Sequence, residues 1–138
     1  MNRKILAGLF VFVSLFLFSA YGHAEIIYVN DSNYENEVFD RNSDKLIIVD
    51  FYATWCGPCQ MQSVVFEDLQ RDPDMKDVKI VKVNAEESLD ASRSQNIDRY
   101  PTLVFVKKGR VIGKFTGLKD GPTLKGLVIR LKNIKFDD

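Results

Sequence analysis

The chain has 138 residues, of which 46% are hydrophobic and 28% are charged. This composition is ordinary for one globular domain and excludes a largely disordered chain. The 19 basic residues balance the 19 acidic residues and no basic cluster stands out, so a nucleic-acid partner is not expected.

The first 24 residues differ in kind from the rest of the chain. Two basic residues precede an uncharged apolar run at 5–18, and a glycine and an alanine suit the −3 and −1 positions of a cleavage site before Glu25. These features predict a secretory signal peptide over residues 1–24. The run is short of the roughly 20 residues that a spanning helix needs, but an uncleaved segment that anchors the domain to a membrane is the alternative. Either way, we expect residues 25–138 to be an exported domain with a periplasmic location.

Cleavage before Glu25 would also remove His23, the only histidine in the sequence. The mature chain would then have no Ser–His or Cys–His catalytic pair and no imidazole ligand for a metal. We therefore expect a domain without a metal site.

The spacing of apolar residues predicts an alternation of strands and helices in the exported domain. The run LIIVDFYA is nearly continuous, which is typical of a strand covered on both faces. Later, a single glycine separates two strand-like runs, which predicts a β-hairpin. In chain order, the predicted elements are a strand at 26–29, a helix at 32–41, a strand at 46–53, a helix at 56–70, a strand at 78–85, a short helix at 89–96, strands at 102–108 and 110–116, and a helix after Asp120. This order predicts an α/β sandwich with a mixed central sheet and helices on both faces.

The two cysteines, Cys56 and Cys59, lie in the segment TWCGPCQ, where the buried strand is predicted to turn into a helix. A disulfide across two intervening residues closes a very small loop and is a poor staple. A zinc site needs four ligands, and the mature chain offers two sulfurs and no imidazole. The structural staple and the metal site are therefore the minor alternatives to a redox pair.

A redox role for the cysteines has a direct physical basis. Cys56 is predicted near the helix N-cap, where terminal N–H groups and the macrodipole stabilise a thiolate. Pro58 suits the first turn, whose N–H has no intrahelical partner to lose, and Gly57 lets another backbone come close. We expect Cys56, earlier and more exposed, to be the attacking sulfur and Cys59, one turn further along, to be the resolving sulfur.

Two charged residues on predicted strands are candidates for the same site. Asp50 interrupts an apolar strand in which an ionised carboxylate is costly, so burial is expected to raise its pKa. The alternative for Asp50 is a position facing solvent near the strand end. For Lys82, a solvated strand face is an equally good expectation from the sequence.

The segment VDFYATWCGPCQM resembles the active-site segment of thioredoxins. The likeness continues through KVNAE, YPTLVFVKKGRVIGKFTG and the final amphipathic helix, so it covers nearly all of residues 25–138. The resemblance implies a thioredoxin-like three-layer fold. It also implies a thiol–disulfide oxidoreductase that needs no cofactor beyond a redox-active Cys56–Cys59 disulfide.

The resemblance further implies roles for individual residues. Asp50 matches the family's buried acid, which assists proton transfer at the second cysteine, and Lys82 matches the lysine that pairs with it. Trp55 matches the indole beside the nucleophile. Pro101 matches the family's cis-proline, which lies against the disulfide and presents the backbone of Tyr100 to substrate. The residues expected to contact substrate are Trp55, Gly57, Pro58, Tyr100, Pro101 and Gly117.

Four residues depart from the family pattern. Val64 stands where thioredoxins usually have the proline that kinks the active-site helix, and Gln60 replaces the common lysine after the second cysteine. Tyr100 precedes the expected cis-proline, where a smaller residue is more usual, and Tyr52 replaces the family's other tryptophan. None of these departures removes a catalytic group, and together they leave redox potential and substrate preference open.

The predicted function is therefore an exported protein-disulfide reductase that works by thiolate attack, a mixed disulfide and resolution. Because Gly-Pro between the cysteines resembles the strongly reducing thioredoxins, the expected partners are disulfide-containing exported proteins and a transmembrane thiol electron donor. We expect a monomer. The alternatives are an oxidising dithiol protein and a thioredoxin fold used as a binding or assembly subunit. A binding subunit would need neither the WCGPC motif nor Asp50.

Overall fold

The structure, a computed structural model, describes residues 22–136. The apolar run of the predicted signal peptide lies outside the described residues. Within 22–136, none of the helices has the length and the apolar character needed to cross a membrane.

A mixed five-stranded sheet forms the centre of the described chain. Its strands are β1 (Glu25–Val29), β2 (Leu46–Tyr52), β3 (Val78–Asn84), β4 (Thr102–Lys107) and β5 (Arg110–Thr116). The spatial order is β1-β3-β2-β4-β5, in which β1, β3 and β2 are parallel and β4 and β5 are antiparallel to their neighbours. β2 is thus a central strand, and its residues from Leu46 to Phe51 are all buried, as its apolar run predicts.

Helices cover both faces of this sheet. They are α1 (Tyr34–Val38), α2 (Gly57–Leu69), α3 (Leu89–Ser94) and α4 (Gly121–Lys132), with one 3-10 turn at Pro73–Met75. Alternate residues of each strand point to opposite faces, so the sheet supplies two separate apolar surfaces. One surface packs with buried residues of α2 and α4, and the other packs with buried residues of α1 and α3. The three-layer α/β sandwich predicted from the sequence is confirmed.

The first helix is shorter than the predicted 32–41. The backbone N–H and the hydroxyl of Ser32 both donate to the side-chain oxygen of Asn30, and the side chain of Asn33 accepts from the Asn30 N–H. Such local side-chain bonds give the backbone an alternative to the helix. The helix therefore begins only at Tyr34, and Ser32 does not cap it.

The β4–β5 hairpin turns at Lys108 and Gly109, which both have positive φ, 49° and 68°. This is the conformation that two-residue hairpin turns require. A Cβ at Gly109 would lie 2.9 Å from the carbonyl oxygen of Phe39, so a side chain there would collide with the residue that follows α1. The hairpin tip lies at the end of β4 opposite the cysteines, and its role is structural.

Candidate active site

The two sulfurs lie at the point where β2 leads into α2. Cys56 is the N-cap residue of α2 with extended backbone angles, and its Sγ accepts the backbone N–H of Cys59 at 3.2 Å. Cys56 and Cys59 are joined by a disulfide bond. Pro58 lies in the first helical turn, where its missing N–H leaves no helical hydrogen bond unmade. Gly57 is exposed, and nothing lies within 4 Å of where its Cβ would be, so another backbone has room to approach.

In the disulfide form both sulfurs are largely covered. Cys56 is 5% exposed and Cys59 is 2% exposed, which keeps the expected order but with a small difference. Tyr52 and Tyr100 pack against the cluster that contains Ala53 and the two cysteines. Preference for Cys56 as the attacking sulfur must therefore come more from its position at the helix terminus than from exposure.

Trp55 stands out from the surface beside the disulfide, with 71% of its surface exposed. Its Nε1 donates to Oε1 of Glu86 at 2.8 Å, and its ring meets the ring of Tyr100 edge-on at a centroid distance of 6.2 Å. The other oxygen of Glu86 accepts from the hydroxyl of Thr54 at 3.3 Å. Glu86 was not among the predicted site residues, although it lies in the KVNAE segment that resembles thioredoxins.

Pro101 and Gly117 lie side by side, directly after Tyr100 and β5 respectively. The Tyr100–Pro101 peptide bond is cis, and Pro101 is buried. The N–H of Gly117 donates to the carbonyl oxygen of Pro101 at 2.8 Å. Gly117 has a φ of 84°, which favours glycine, and the space where its Cβ would be is open. The structure thus brings the segment after β5 next to the expected cis-proline.

Asp50 and Lys82 form a buried ion pair beneath α2. They are register partners on β2 and β3, and the Lys82 Nζ lies 2.8 Å from Asp50 Oδ2. Asp50 is 0% exposed and Lys82 is 4% exposed, so neither residue takes the solvent-facing alternative. Burial raises the pKa of Asp50 above its ordinary value, and the Lys82 ammonium opposes that rise. Within the described residues, Asp50 Oδ1 has no hydrogen-bond partner.

The Lys82 ammonium has further contacts that the sequence analysis did not predict. It donates to the Ser63 Oγ at 2.6 Å, and it lies 5.0 Å from the ring centroid of Tyr52 and 5.7 Å from that of Phe66. A pocket of about 170 Å³ reaches this point from the surface, and its lining includes Cys59 and Lys82. The resolving sulfur and the ion pair therefore share one small pocket.

Gln62 ties α2 to the chain between β5 and α4. Its side chain is completely buried, with an exposure of 0%. Its Oε1 accepts the backbone N–H of Lys119 at 2.8 Å, and its Nε2 donates to the Lys119 carbonyl oxygen at 3.3 Å. No local pattern predicts this contact, because the two residues are 57 positions apart.

No candidate metal-binding site is found in residues 22–136. Nowhere in that range do three or more His, Cys, Asp or Glu side chains form a group that could hold a metal ion. What the described site offers is a pair of bonded sulfurs at a helix terminus, above a buried carboxylate. That arrangement is suited to exchange between thiols and disulfides.

Comparison with known proteins gives one consistent result. The thioredoxin family's sequence model matches residues 25–130. The thioredoxin of Ictalurus punctatus is 36% identical over 100 residues, which cover 72% of this chain and 92% of that relative. The thioredoxin of Haemophilus influenzae is 36% identical over 94 residues, which cover 68% of this chain and 85% of that relative.

Solved structures agree with the sequence matches. A mutant thioredoxin from Halobacterium salinarum superposes with a TM-score of 0.70 at 30% identity, covering 83% of this chain and 96% of that one. The thioredoxin of Malassezia sympodialis superposes with a TM-score of 0.67 at 31% identity, covering 80% of this chain and 92% of that one. Since sequence, fold and the cysteine pair at the start of α2 all agree, the chain belongs to the thioredoxin family and is a thioredoxin-type protein-disulfide reductase.

Proposed function

We propose that this reductase is exported and reduces disulfide bonds in exported proteins. The observation that carries the proposal is a coincidence of boundaries at Glu25. The signal-peptide pattern ends just before Glu25, β1 begins at Glu25, and the family match also begins there. A leader joined directly to the start of a folded domain is the arrangement expected of an exported protein.

The contacts of Ala24 would differ between a chain that is cleaved before Glu25 and one that stays anchored. Its side chain is buried, and its N–H donates to the Gln70 carbonyl oxygen at the end of α2 at 2.8 Å. Cleavage before Glu25 would remove this contact and leave the Gln70 carbonyl to water. An uncleaved chain would keep this hydrogen bond.

In the proposed reaction, the reduced protein gives up two electrons and the client disulfide accepts them. The Cys56 thiolate attacks one client sulfur, which forms a mixed disulfide and releases the other client sulfur as a thiolate. Cys59 then transfers its proton to Asp50 and attacks the Cys56 sulfur. That step forms the Cys56–Cys59 disulfide and releases the second client thiolate. Lys82 holds Asp50 in place beneath α2.

The surface around the disulfide is the proposed client site. A client backbone would lie over exposed Gly57 and alongside the cis-proline Pro101, with the Trp55 indole at one side. The set proposed to contact clients is Trp55, Gly57, Pro58, Tyr100, Pro101 and Gly117. In this arrangement the side chain of Tyr100, larger than is usual there, covers the sulfurs and restricts which clients fit.

Expression of the full chain in a Gram-negative host tests the export proposal. We expect a periplasmic protein whose N-terminal residue is Glu25, as determined by mass spectrometry. Recovery from the membrane fraction with Met1 or Asn2 at the N-terminus would support the anchored alternative. Recovery from the cytoplasm with an intact N-terminus would overturn export.

The direction of electron flow is tested by the redox potential of the Cys56–Cys59 pair against glutathione. We expect a value near that of reducing thioredoxins, about −270 mV, which would require a transmembrane thiol donor to recycle the protein. In the periplasm of a host that lacks such donors, Cys56 and Cys59 should accumulate as the disulfide. A potential near about −120 mV would instead support the oxidising alternative.

A further inference from the structure

The Lys82 ammonium is held in the apolar layer by a small set of groups. It donates to Asp50 Oδ2 at 2.8 Å and to Ser63 Oγ at 2.6 Å, and its remaining surroundings include the faces of the Tyr52 and Phe66 rings. A buried ammonium is tolerated only where its protons find acceptors. Ser63 supplies the second oxygen acceptor that the described structure gives to Lys82.

The Ser63 hydroxyl has a fixed direction in this network. An ammonium has no lone pair and can only donate, so Ser63 Oγ accepts from Lys82. The hydroxyl proton is then free to donate to the Cys59 carbonyl oxygen, which lies 3.2 Å away in the preceding turn of α2. A continuous chain therefore runs from Asp50 through Lys82 and Ser63 to the backbone of the resolving cysteine.

We propose that Ser63 is a positioning residue for the reduction reaction: its hydroxyl holds the Lys82 ammonium against Asp50 and links that ion pair to the turn of α2 that carries Cys59. Ser63 does not contact substrate. It acts through Lys82, and the proposal deepens the proton-transfer role proposed for Asp50.

Loss of the hydroxyl should change the charge state of Asp50. When Asp50 is ionised, the ion pair holds the ammonium beside Ser63, so the hydroxyl stabilises that state. When Asp50 is protonated, the ammonium loses its main partner and is freer to move to solvent, away from Ser63. Loss of the hydroxyl therefore destabilises the ionised state of Asp50 more than the neutral state. The midpoint of Asp50 titration should rise by about one pH unit, the effect of losing one hydrogen bond to a charged group.

Other titratable groups near the pair must be kept distinct from this effect. Tyr52 lies on the same strand as Asp50, and Tyr28 on β1 and Cys59 on α2 line the pocket with Lys82. Glu87 follows β3 and interacts with Tyr52. From β4, the register partner of Asp50 is Leu103, which carries no charge. In the disulfide form Cys59 does not titrate, so that form isolates the carboxyl.

The test is a titration of the Asp50 carboxyl by ¹³C NMR in the oxidised protein. Ser63→Val and Ser63→Thr are a matched pair, since they have the same shape and differ in the hydroxyl. Ser63→Val and Ser63→Ala should raise the Asp50 midpoint by about one unit, and Ser63→Thr should restore it to near the wild-type value. An unchanged midpoint in Ser63→Ala and Ser63→Val would overturn the proposal.

Two controls identify the path of the effect. Ser92→Ala removes another buried serine hydroxyl, which donates to the Ala85 carbonyl at 3.4 Å and does not contact Lys82, so it should leave the midpoint unchanged. In a Lys82→Met background, Ser63→Ala should have no further effect on Asp50. An equal shift in that background would show that Ser63 does not act through Lys82, and the proposal would be wrong.

Kinetics connects the titration to the reaction. In the reduced protein, Ser63→Ala should move the pH profile of the resolution step to higher pH by the same amount and leave the rate of first attack within about twofold of wild type. If Asp50→Ala leaves resolution unchanged, the role of Asp50 is wrong. The NMR titration still decides whether Ser63 positions Lys82, because it does not depend on turnover.

Discussion

The Asp50 carboxylate and the Lys82 ammonium lie together in the apolar layer beneath α2, where each stabilises the charged form of the other. Asp50 alone on its strand would be an expensive ion, and Lys82 alone would be equally costly. Removing one partner therefore leaves the other as an uncompensated buried charge. Removing both leaves an apolar layer that has lost little.

Asp50→Ala should slow the resolution step near neutral pH and leave the first attack by Cys56 largely intact, because the proposed proton acceptor for Cys59 is gone. The variant should also be destabilised by about 3 kcal/mol, since the Lys82 ammonium is left buried without its partner. Stopped-flow kinetics of the two steps and a denaturant melt measure both effects. The double variant Asp50→Ala, Lys82→Met is the control and should regain most of the stability; if it does not, the ion pair is not the cause.

The free energy of unfolding should depend on pH through the titration of Asp50. Because the pKa of Asp50 in the folded state is raised above its ordinary value of 3.8, the folded protein binds this proton more tightly than the unfolded chain does. The free energy of unfolding should therefore fall as pH rises from about 3.8 through the folded-state value. Urea melts across this range, compared with Asp50→Asn, Lys82→Met, should show the fall in the wild type alone.

Cys56 should react before Cys59 when the reduced protein is alkylated near pH 7. The two side chains have similar exposure in the disulfide form, so the difference rests on the helix terminus, which stabilises a Cys56 thiolate. Brief treatment with iodoacetamide followed by peptide mass spectrometry gives the order of labelling. Faster labelling of Cys59 would reverse the assignment of the attacking and resolving sulfurs.

At the scale of elements, α2 is the part of the molecule that joins the reactive sulfurs to everything beneath them. It runs unbroken from Gly57 to Leu69, and Val64 stands where the family usually has the proline that kinks this helix. Its inner face carries Ser63 toward Lys82 and Gln62 toward Lys119. A single helix therefore contacts both the ion pair and the segment that follows β5.

Gln62→Leu should weaken the client site while sparing the chemistry of the sulfurs. It leaves the backbone N–H and carbonyl of Lys119 without their side-chain partner, and the cost should be about 1–3 kcal/mol of stability. The segment from Gly117 to Lys119 should then be less well placed beside Pro101. We expect a several-fold higher KM for insulin and a kcat close to that of wild type.

A small aromatic disulfide serves as the comparison substrate for Gln62→Leu, since it does not need the proposed client site around the disulfide. Its rate of reduction should be within about twofold of wild type, because Cys56 and the N-terminus of α2 are unchanged. Equal loss of activity on insulin and on the small disulfide would contradict the role given to Gln62. The matched substitution Gln60→Leu, at an exposed neighbouring position, should change neither KM nor stability appreciably.

The elements that the sequence predicts well are those set by local periodicity. The apolar run of β2 and the helical spacing of α2 are properties of consecutive residues, and both were predicted within a few positions. Local periodicity did not predict the direction of Lys82, because that direction depends on which strand β3 joins and in which register; only the family resemblance predicted its pairing with Asp50. The same reason explains why the sequence did not predict the contacts of Ser63, Gln62 and Glu86. Each of these residues has a partner that is distant in sequence.

For the whole molecule, the resemblance to thioredoxins added what periodicity cannot supply. An X-Pro bond is usually trans, so Pro101 gave no cis signal of its own, and only the family likeness predicted it. Net charge and composition excluded classes of partner but did not point to disulfides. The fold followed from apolar spacing, and the expected site from matching WCGPC and its distant companions to one family.

Trapping of clients as mixed disulfides tests whether the whole protein acts on protein disulfides. In Cys59→Ser the mixed disulfide cannot be resolved, so clients should accumulate on Cys56 and appear as higher bands on non-reducing gels of exported extracts. These bands should be absent in Cys56→Ser, Cys59→Ser, which has no attacking sulfur. A Cys59→Ser variant that captures no protein would indicate that clients are not protein disulfides.

The atom that caps α2 belongs to the redox-active disulfide, since the Cys56 Sγ accepts the Cys59 N–H and is bonded to the Cys59 sulfur. Helices usually begin at a serine, threonine, aspartate or asparagine oxygen that takes no part in chemistry. Here, each turnover passes the start of the helix through a thiolate, a mixed disulfide and an internal disulfide. The group that caps the first turn of α2 therefore changes its covalent state with every turnover.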